Sequence, residues 1–185
     1  MSKKSFLTIV ASSILAGVVV SAVIQAAEST SLLVTVTPGT ISVTVSAASY
    51  DYGAMPLGSA KSSSSLVVTN NGNVNENFLI KGSDATYVEA TGEATKCAST
   101  AAQDNCNWAL SSAPGVDSYR YTFTPAGGAE TNLAAANQTL ASNVTPGAAT
   151  SFVLKFYTPT TAGTETALGK AYSTNVTIAA VWAGQ

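Results

Sequence analysis

From Glu28 onward the chain is dominated by short runs in which apolar and polar residues alternate, separated by turn residues. Alternation sends successive side chains to opposite faces of an extended chain, so each run reads as a half-buried strand. Ile41 to Ala47 (ISVTVSA) sets Ile41, Val43 and Val45 on one face and Ser42, Thr44 and Ser46 on the other. Asp117 to Thr124 (DSYRYTFT) does the same with Tyr119, Tyr121 and Phe123. Thr150 to Tyr157 (TSFVLKFY) and Ser173 to Trp182 (STNVTIAAVW) are two further strands, the second with Val176, Ile178 and Trp182 on one face. Glu28 to Thr37 (ESTSLLVTVT) alternates and stops at Pro38-Gly39, a turn pair. Tyr50-Asp51-Tyr52-Gly53 leads into a bend at Met55 to Gly58, and Ala60 to Ser65 is a polar, Ser-rich edge. One more short strand is expected around Ser142 to Thr145.

Leu66 to Lys81 (LVVTNNGNVNENFLIK) is the reference stretch for all of these. Two apolar-rich runs flank Asn70-Asn71-Gly72-Asn73, residues that tolerate the positive φ of tight hairpin turns. The stretch is therefore expected to be a β-hairpin, with turn geometry accounting for its asparagines. It sets the register of the neighbouring strands and leaves the sheet edges as the place to look for function.

The strands number roughly eight to ten, evenly spaced, and beyond the N-terminal segment nothing shows a helical period. The expectation is an all-β fold: an immunoglobulin-like or jelly-roll-like β-sandwich of antiparallel strands, formed by residues 28–185 as a single domain. Met1 to Ala27 reads as a signal peptide. Lys3 and Lys4 precede an uncharged stretch from Phe6 to Ile24, and small residues follow. Cleavage is placed after Ala22 or Ala27. The competing reading is an uncleaved anchor, because that stretch is just long enough to span a bilayer.

Composition narrows the function classes. Of 185 residues, 46% are apolar and only 10% charged, against about 25% charged in typical globular chains. The polar surface must be built from Thr, Ser and Asn, as in many extracellular β-proteins. Without Lys3 and Lys4, six basic residues face ten acidic ones, a net charge of −4. That argues against nucleic acid, whose affinity comes from Lys and Arg on phosphates, and leaves the membrane as a partner only through an uncleaved leader. The chain contains no His, which removes the commonest general base and metal ligand. In an exported chain the two cysteines, Cys97 and Cys106, are expected to form a disulfide closing the intervening loop, with a stabilisation of about 2.5–3 kcal/mol.

Candidate chemistry is sparse. No nucleophile-elbow, zinc-protease, phosphate-loop or dinucleotide motif is present. Asp84, Glu89 and Glu93 share one loop, and solvated acids is a better reading of them than a calcium site. No catalytic residue, cofactor or metal ligand is assigned. The stripe of Tyr119, Tyr121 and Phe123, with Trp108, admits two readings: an exposed platform for sugars, or the core side of strands.

Three pieces together carry a resemblance: Tyr50 to Gly53 with Leu57-Gly58-Ser59 and Leu66 to Val74; the ending from Tyr157-Thr158-Pro159 to the terminal Thr/Val/Ile strand; and the low-charge, exported layout. They resemble bacterial secreted immunoglobulin-like modules of the Hydin-like and CARDB-like kind. More distantly they are similar to the camelysin/TasA group of matrix-fibre proteins. The resemblance implies a β-sandwich and brings no catalytic residues. The expected function is a non-enzymatic secreted or cell-surface structural protein, with the periplasm as an alternative location. Ser31 to Thr37 has two readings: a strand that pairs within its own domain, favoured for a short extension joined by Pro38-Gly39, or a strand added to a neighbour's open sheet edge, by which the protein would assemble with itself; other surface proteins are the further partners. The alternative is an extracellular adhesin or carbohydrate- or protein-binding module using Trp108, Tyr119 or Tyr121.

Overall fold

The computed structural model describes residues 33–88, 105–166 and 168–184. The chain divides into two units, Met1–Thr37 and Pro38–Gln185. In the first, residues 33–37 have no regular structure and their side chains are exposed; the expected signal peptide lies outside the described residues.

The second unit is all-β, with no helix among the described residues. Its strands are β1 (Val43–Val45), β2 (Ala60–Ser62), β3 (Leu66–Asn70), β4 (Glu76–Lys81), β5 (Ala85–Val88), β6 (Asn105–Ser111), β7 (Ser118–Pro125), β8 (Thr131–Asn132), β9 (Gln138–Val144), β10 (Ala149–Tyr157) and β11 (Thr177–Trp182). Eight of them form one sheet in the order β1-β3-β10-β7-β6-β5, with β2 beside β10 and β8 beside β7. The other three form a second sheet in the order β11-β4-β9. Between the sheets lies one apolar cluster: Leu66, Val68, Trp108, Tyr119, Tyr121, Phe123, Phe152 and Leu154 from the large sheet, and Phe78, Ile80 and Leu140 from the small one. The aromatic stripe of β7 is therefore core.

β10 anchors the large sheet. It pairs with β7 on one side, and on the other with β3 over its first half and β2 over its second. The break between β2 and β3 is bridged by Ser63, whose N–H donates to the Leu154 carbonyl while its Oγ accepts the Leu154 N–H at 3.0 Å. A hydroxyl thus replaces a ladder carbonyl where the strand is interrupted.

Two expectations are corrected. β3 and β4 do not pair as a hairpin: β3 lies between β1 and β10 of the large sheet, and β4 between β11 and β9 of the small one. Leu66–Lys81 is an arch that carries the chain from one sheet to the other. Both strands turn alternate side chains into the same core, Leu66, Val68 and Asn70 from β3 and Glu76, Phe78 and Ile80 from β4. The strands are also not all antiparallel, because β6 and β7 pair in parallel over Ala109–Ser111 and Ser118–Arg120. Parallel neighbours usually need a crossover of a dozen or more residues. Here only three residues overlap, and the short return is made at Asp117, which adopts a left-handed φ of 47° and whose carbonyl accepts the Ala109 N–H.

Candidate functional site

The arch between β3 and β4 is built around side-chain hydrogen bonds. Asn70 is fully buried. Its Nδ2 donates to the carbonyls of Val74 and Val144, each at 2.8 Å, and its Oδ1 accepts the Gly72 N–H at 2.8 Å. Its own backbone N–H and carbonyl pair with Ala148 and Gly147. Every polar group of this buried amide is satisfied, as a low-dielectric site demands.

The next residues reach outward and grip residues 38–44. Asn71 donates its N–H to the Ser42 carbonyl at 2.8 Å and its Nδ2 to Thr44 Oγ1 at 2.8 Å. Asn73 donates its N–H to the Thr40 carbonyl, accepts the Thr40 N–H on Oδ1 at 2.7 Å, and donates Nδ2 to the Pro38 carbonyl at 3.1 Å. Glu76 Oε1 accepts the Ser42 N–H at 2.8 Å. Turn geometry does not account for these residues: none of Asn70, Asn71, Gly72 or Asn73 has a positive φ. Gly72 is required for another reason, since a Cβ there would fall on the Thr40 carbonyl oxygen and Glu76 Oε1. The arch is an asparagine clasp, closed on the segment that leads into β1. Glu76 is fully buried at its inner end, and among the described residues its Oε2 has no hydrogen-bond partner.

The aromatic candidates are not at the surface. Tyr119, Tyr121 and Trp108 are buried. The Trp108 ring stacks on Tyr172 at 3.8 Å and 6°, and its Nε1–H donates to Thr166 Oγ1 at 3.0 Å. Thr166 in turn donates to Asp117 Oδ1 at 2.6 Å, and the same carboxylate accepts the N–H groups of Gly163 and Glu165. One acid therefore pins the loop that covers Trp108. Tyr119 donates its hydroxyl to the Ser83 carbonyl and shares a 2.9 Å hydrogen bond with Thr174. Burial pushes its phenol, and that of Tyr52, up to about 12, and raises Tyr121 further.

A polar cluster on β7 and β10 is a third grouping, one that sequence reading missed. Glu130 Oε1 accepts from the Tyr157 hydroxyl at 2.7 Å and from Thr122 Oγ1 at 3.0 Å and pairs with Arg120 at 3.4 Å, while Oε2 lies 4.0 Å from the Lys155 ammonium. The Tyr157 hydrogen bond, more than the cations, holds the Glu130 carboxyl below the usual carboxylate range. Arg120 and Lys155 both lie against the Tyr157 ring, at 4.6 and 4.8 Å from its centre. Tyr157 sits opposite Arg120 across the β7–β10 ladder, a pairing that local sequence does not encode. The cluster is partly exposed, with the Lys155 and Glu130 side chains 35% and 36% accessible.

Of the remaining sequence candidates, Asp84 accepts the Leu110 N–H at 2.8 Å, while Glu89 and Glu93 lie outside the described residues. Cys106 is buried in β6; its expected partner Cys97 also lies outside them. Among the described residues no three His, Cys, Asp or Glu side chains come together.

The sheet edges differ in how they are protected. In the large sheet β1, β2 and β8 are three, three and two residues long, and β5 is capped by Ser173, which exchanges two backbone hydrogen bonds with Thr86. In the small sheet β9 is irregular against β4 and carries Asn143 at a left-handed φ of 55°. Among the described residues β11 has none of these features. Comparison with protein-family models, curated proteins and solved structures finds no significant match to this chain.

Proposed function

We propose that the chain is a non-enzymatic structural protein of the cell exterior that assembles with itself by strand addition. The observation that carries this reading is the segment at residues 33–37. Leu33, Val34 and Val36 are 89%, 77% and 84% exposed in a stretch without regular structure. Three neighbouring large apolar side chains in water are unfavourable by about 1.5–3 kcal/mol each relative to burial. Their alternation with Thr35 and Thr37 suits a half-buried strand. An extended segment adding to a sheet edge satisfies its backbone and buries one face at once.

The reading as a module with an aromatic binding platform loses its basis, since Trp108, Tyr119 and Tyr121 are buried. Export through residues 1–27, a Cys97–Cys106 disulfide and kinship with secreted immunoglobulin-like modules belong to the same proposal. The low charge, the absence of His and the buried position of Cys106 support them. Electron microscopy of the protein recovered from culture medium tests the reading. Filaments or regular polymers are expected, and monodisperse particles at high concentration would overturn it.

A further inference from the structure

We infer that the acceptor for residues 33–37 is the outer edge of β11 in a second copy of the chain. This rests on the self-assembly reading above and gives it a docking surface.

An unpaired strand edge templates pairing with other chains, so edges are kept short, bulged, charged or covered. Here β1, β2 and β8 are short, β5 is covered by Ser173, and β9 is irregular. β11 stands apart. Its six residues, TIAAVW, pair with β4 in unbroken register from Thr177↔Lys81 to Trp182↔Glu76. It contains no charge, no proline and no bulge, and β4 is its one partner strand among the described residues. Ile178 and Ala180 pack on the core, while Val181 and Trp182 are 40% and 46% exposed.

The occupant is argued from the same chain. Residues 33–37 form an uncharged, alternating segment whose apolar side chains lack cover. Added beside β11, a strand with Val34 and Val36 facing inward would extend the apolar face made by Ile178 and Ala180. Thr35 and Thr37 would then face outward. Alanines at positions 179 and 180 leave room for β-branched neighbours. Neither surface carries a charge to be desolvated.

Hydrogen exchange on the protein as recovered from cells, compared between assembled and dilute samples, tests this. On assembly, amides of β11 should slow by at least about tenfold, with β1 and β9 unchanged. A double variant, Val34→Asp with Val36→Asp, alters exposed positions and should stay folded while its β11 amides remain fast. Polymers in which protection is gained at β1 or β9, or β11 stays fast, overturn this inference and leave self-assembly standing. Protection of β11 in the double variant would mean β11-to-β11 pairing and overturns it as well. Absence of any polymer overturns both.

Discussion

Asn73 and Thr40, thirty-three residues apart, are joined by a reciprocal pair: the Asn73 side-chain oxygen takes the Thr40 N–H at 2.7 Å, and the Thr40 carbonyl takes the Asn73 N–H at 3.1 Å. An asparagine side chain here imitates a strand partner. It holds residues 38–42 against the arch where no regular ladder exists. The clasp adds to the three-residue β1–β3 ladder in fastening the start of the sandwich.

Within the clasp the members should differ in weight. Asn70→Ala would remove three hydrogen bonds from partly buried groups, the carbonyls of Val74 and Val144 and the Gly72 N–H, and leave a cavity at a fully buried position, for a total cost of about 2–4 kcal/mol. Asn70→Asp should be no better, because it turns a carboxylate oxygen toward those carbonyls. Asn73→Ala removes bonds at the exposed rim, where water substitutes, and should cost about 1 kcal/mol. Urea denaturation of the three variants checks this order. Equal losses would mean that the side-chain network contributes little beyond its backbone.

Gly72→Ala should destabilise by about 1–3 kcal/mol through collision with the Thr40 carbonyl oxygen, an overpacking penalty against backbone. At Gly147 the cause differs, since space is open and φ is 75°. There Gly147→Ala should cost about 1–2 kcal/mol from the left-handed backbone alone. Adding the compensating change Glu76→Ala to Gly72→Ala relieves one of the two collisions, so the pair should be non-additive, whereas Glu76→Ala with Gly147→Ala should add.

Glu76→Gln keeps an oxygen for the Ser42 N–H and removes a buried carboxylate whose Oε2 has no partner among the described residues. The expected result is a melting temperature close to that of the parent protein, because the Ser42 bond and the side-chain volume are both kept. Glu76→Ala should lower it, through the lost bond and the cavity. A large drop for Glu76→Gln would show that the charge itself is required.

Alkaline pH should unfold the protein earlier than its core size suggests. The Tyr119 phenol is raised by burial from 10 to about 12, so the unfolded chain ionises first. Its contribution is complete below pH 10 and is lost as pH rises toward 12, a swing on the order of 3 kcal/mol. Tyr52 and Tyr121 act in the same direction. Thermal melts followed from pH 8 to 12 should fall steeply above pH 10, and the Tyr119→Phe variant, which does not titrate, should fall less.

Much of this fold is legible locally, and its limits are physical. β7 and β10 are plain in sequence because aromatic and aliphatic residues alternate with polar ones over whole strands. β3 and β4 are equally plain as strands. That they face each other across a core instead of pairing follows from distant partners, β1 and β10 for β3 and β11 and β9 for β4, which local sequence does not encode. β6 carries Cys106, Trp108 and Leu110 in alternation, a signal obscured by the polar, glycine- and alanine-rich stretch before it. The clasp escapes local reading because asparagine is ordinary in turns, and only its distant partners distinguish a gripping residue from a turning one. The Glu130 cluster needs the register of β7 against β10, which is a tertiary fact.

The proposal that residues 33–37 are an assembly segment stands or falls on their deletion. Sedimentation velocity on the protein with and without residues 28–37 tests it most directly. Polymers are expected from the parent protein, and from the deletion variant monomers that melt at the parent monomer's temperature. A deletion variant that still polymerises, or one that loses thermal stability as a dilute monomer, would contradict it.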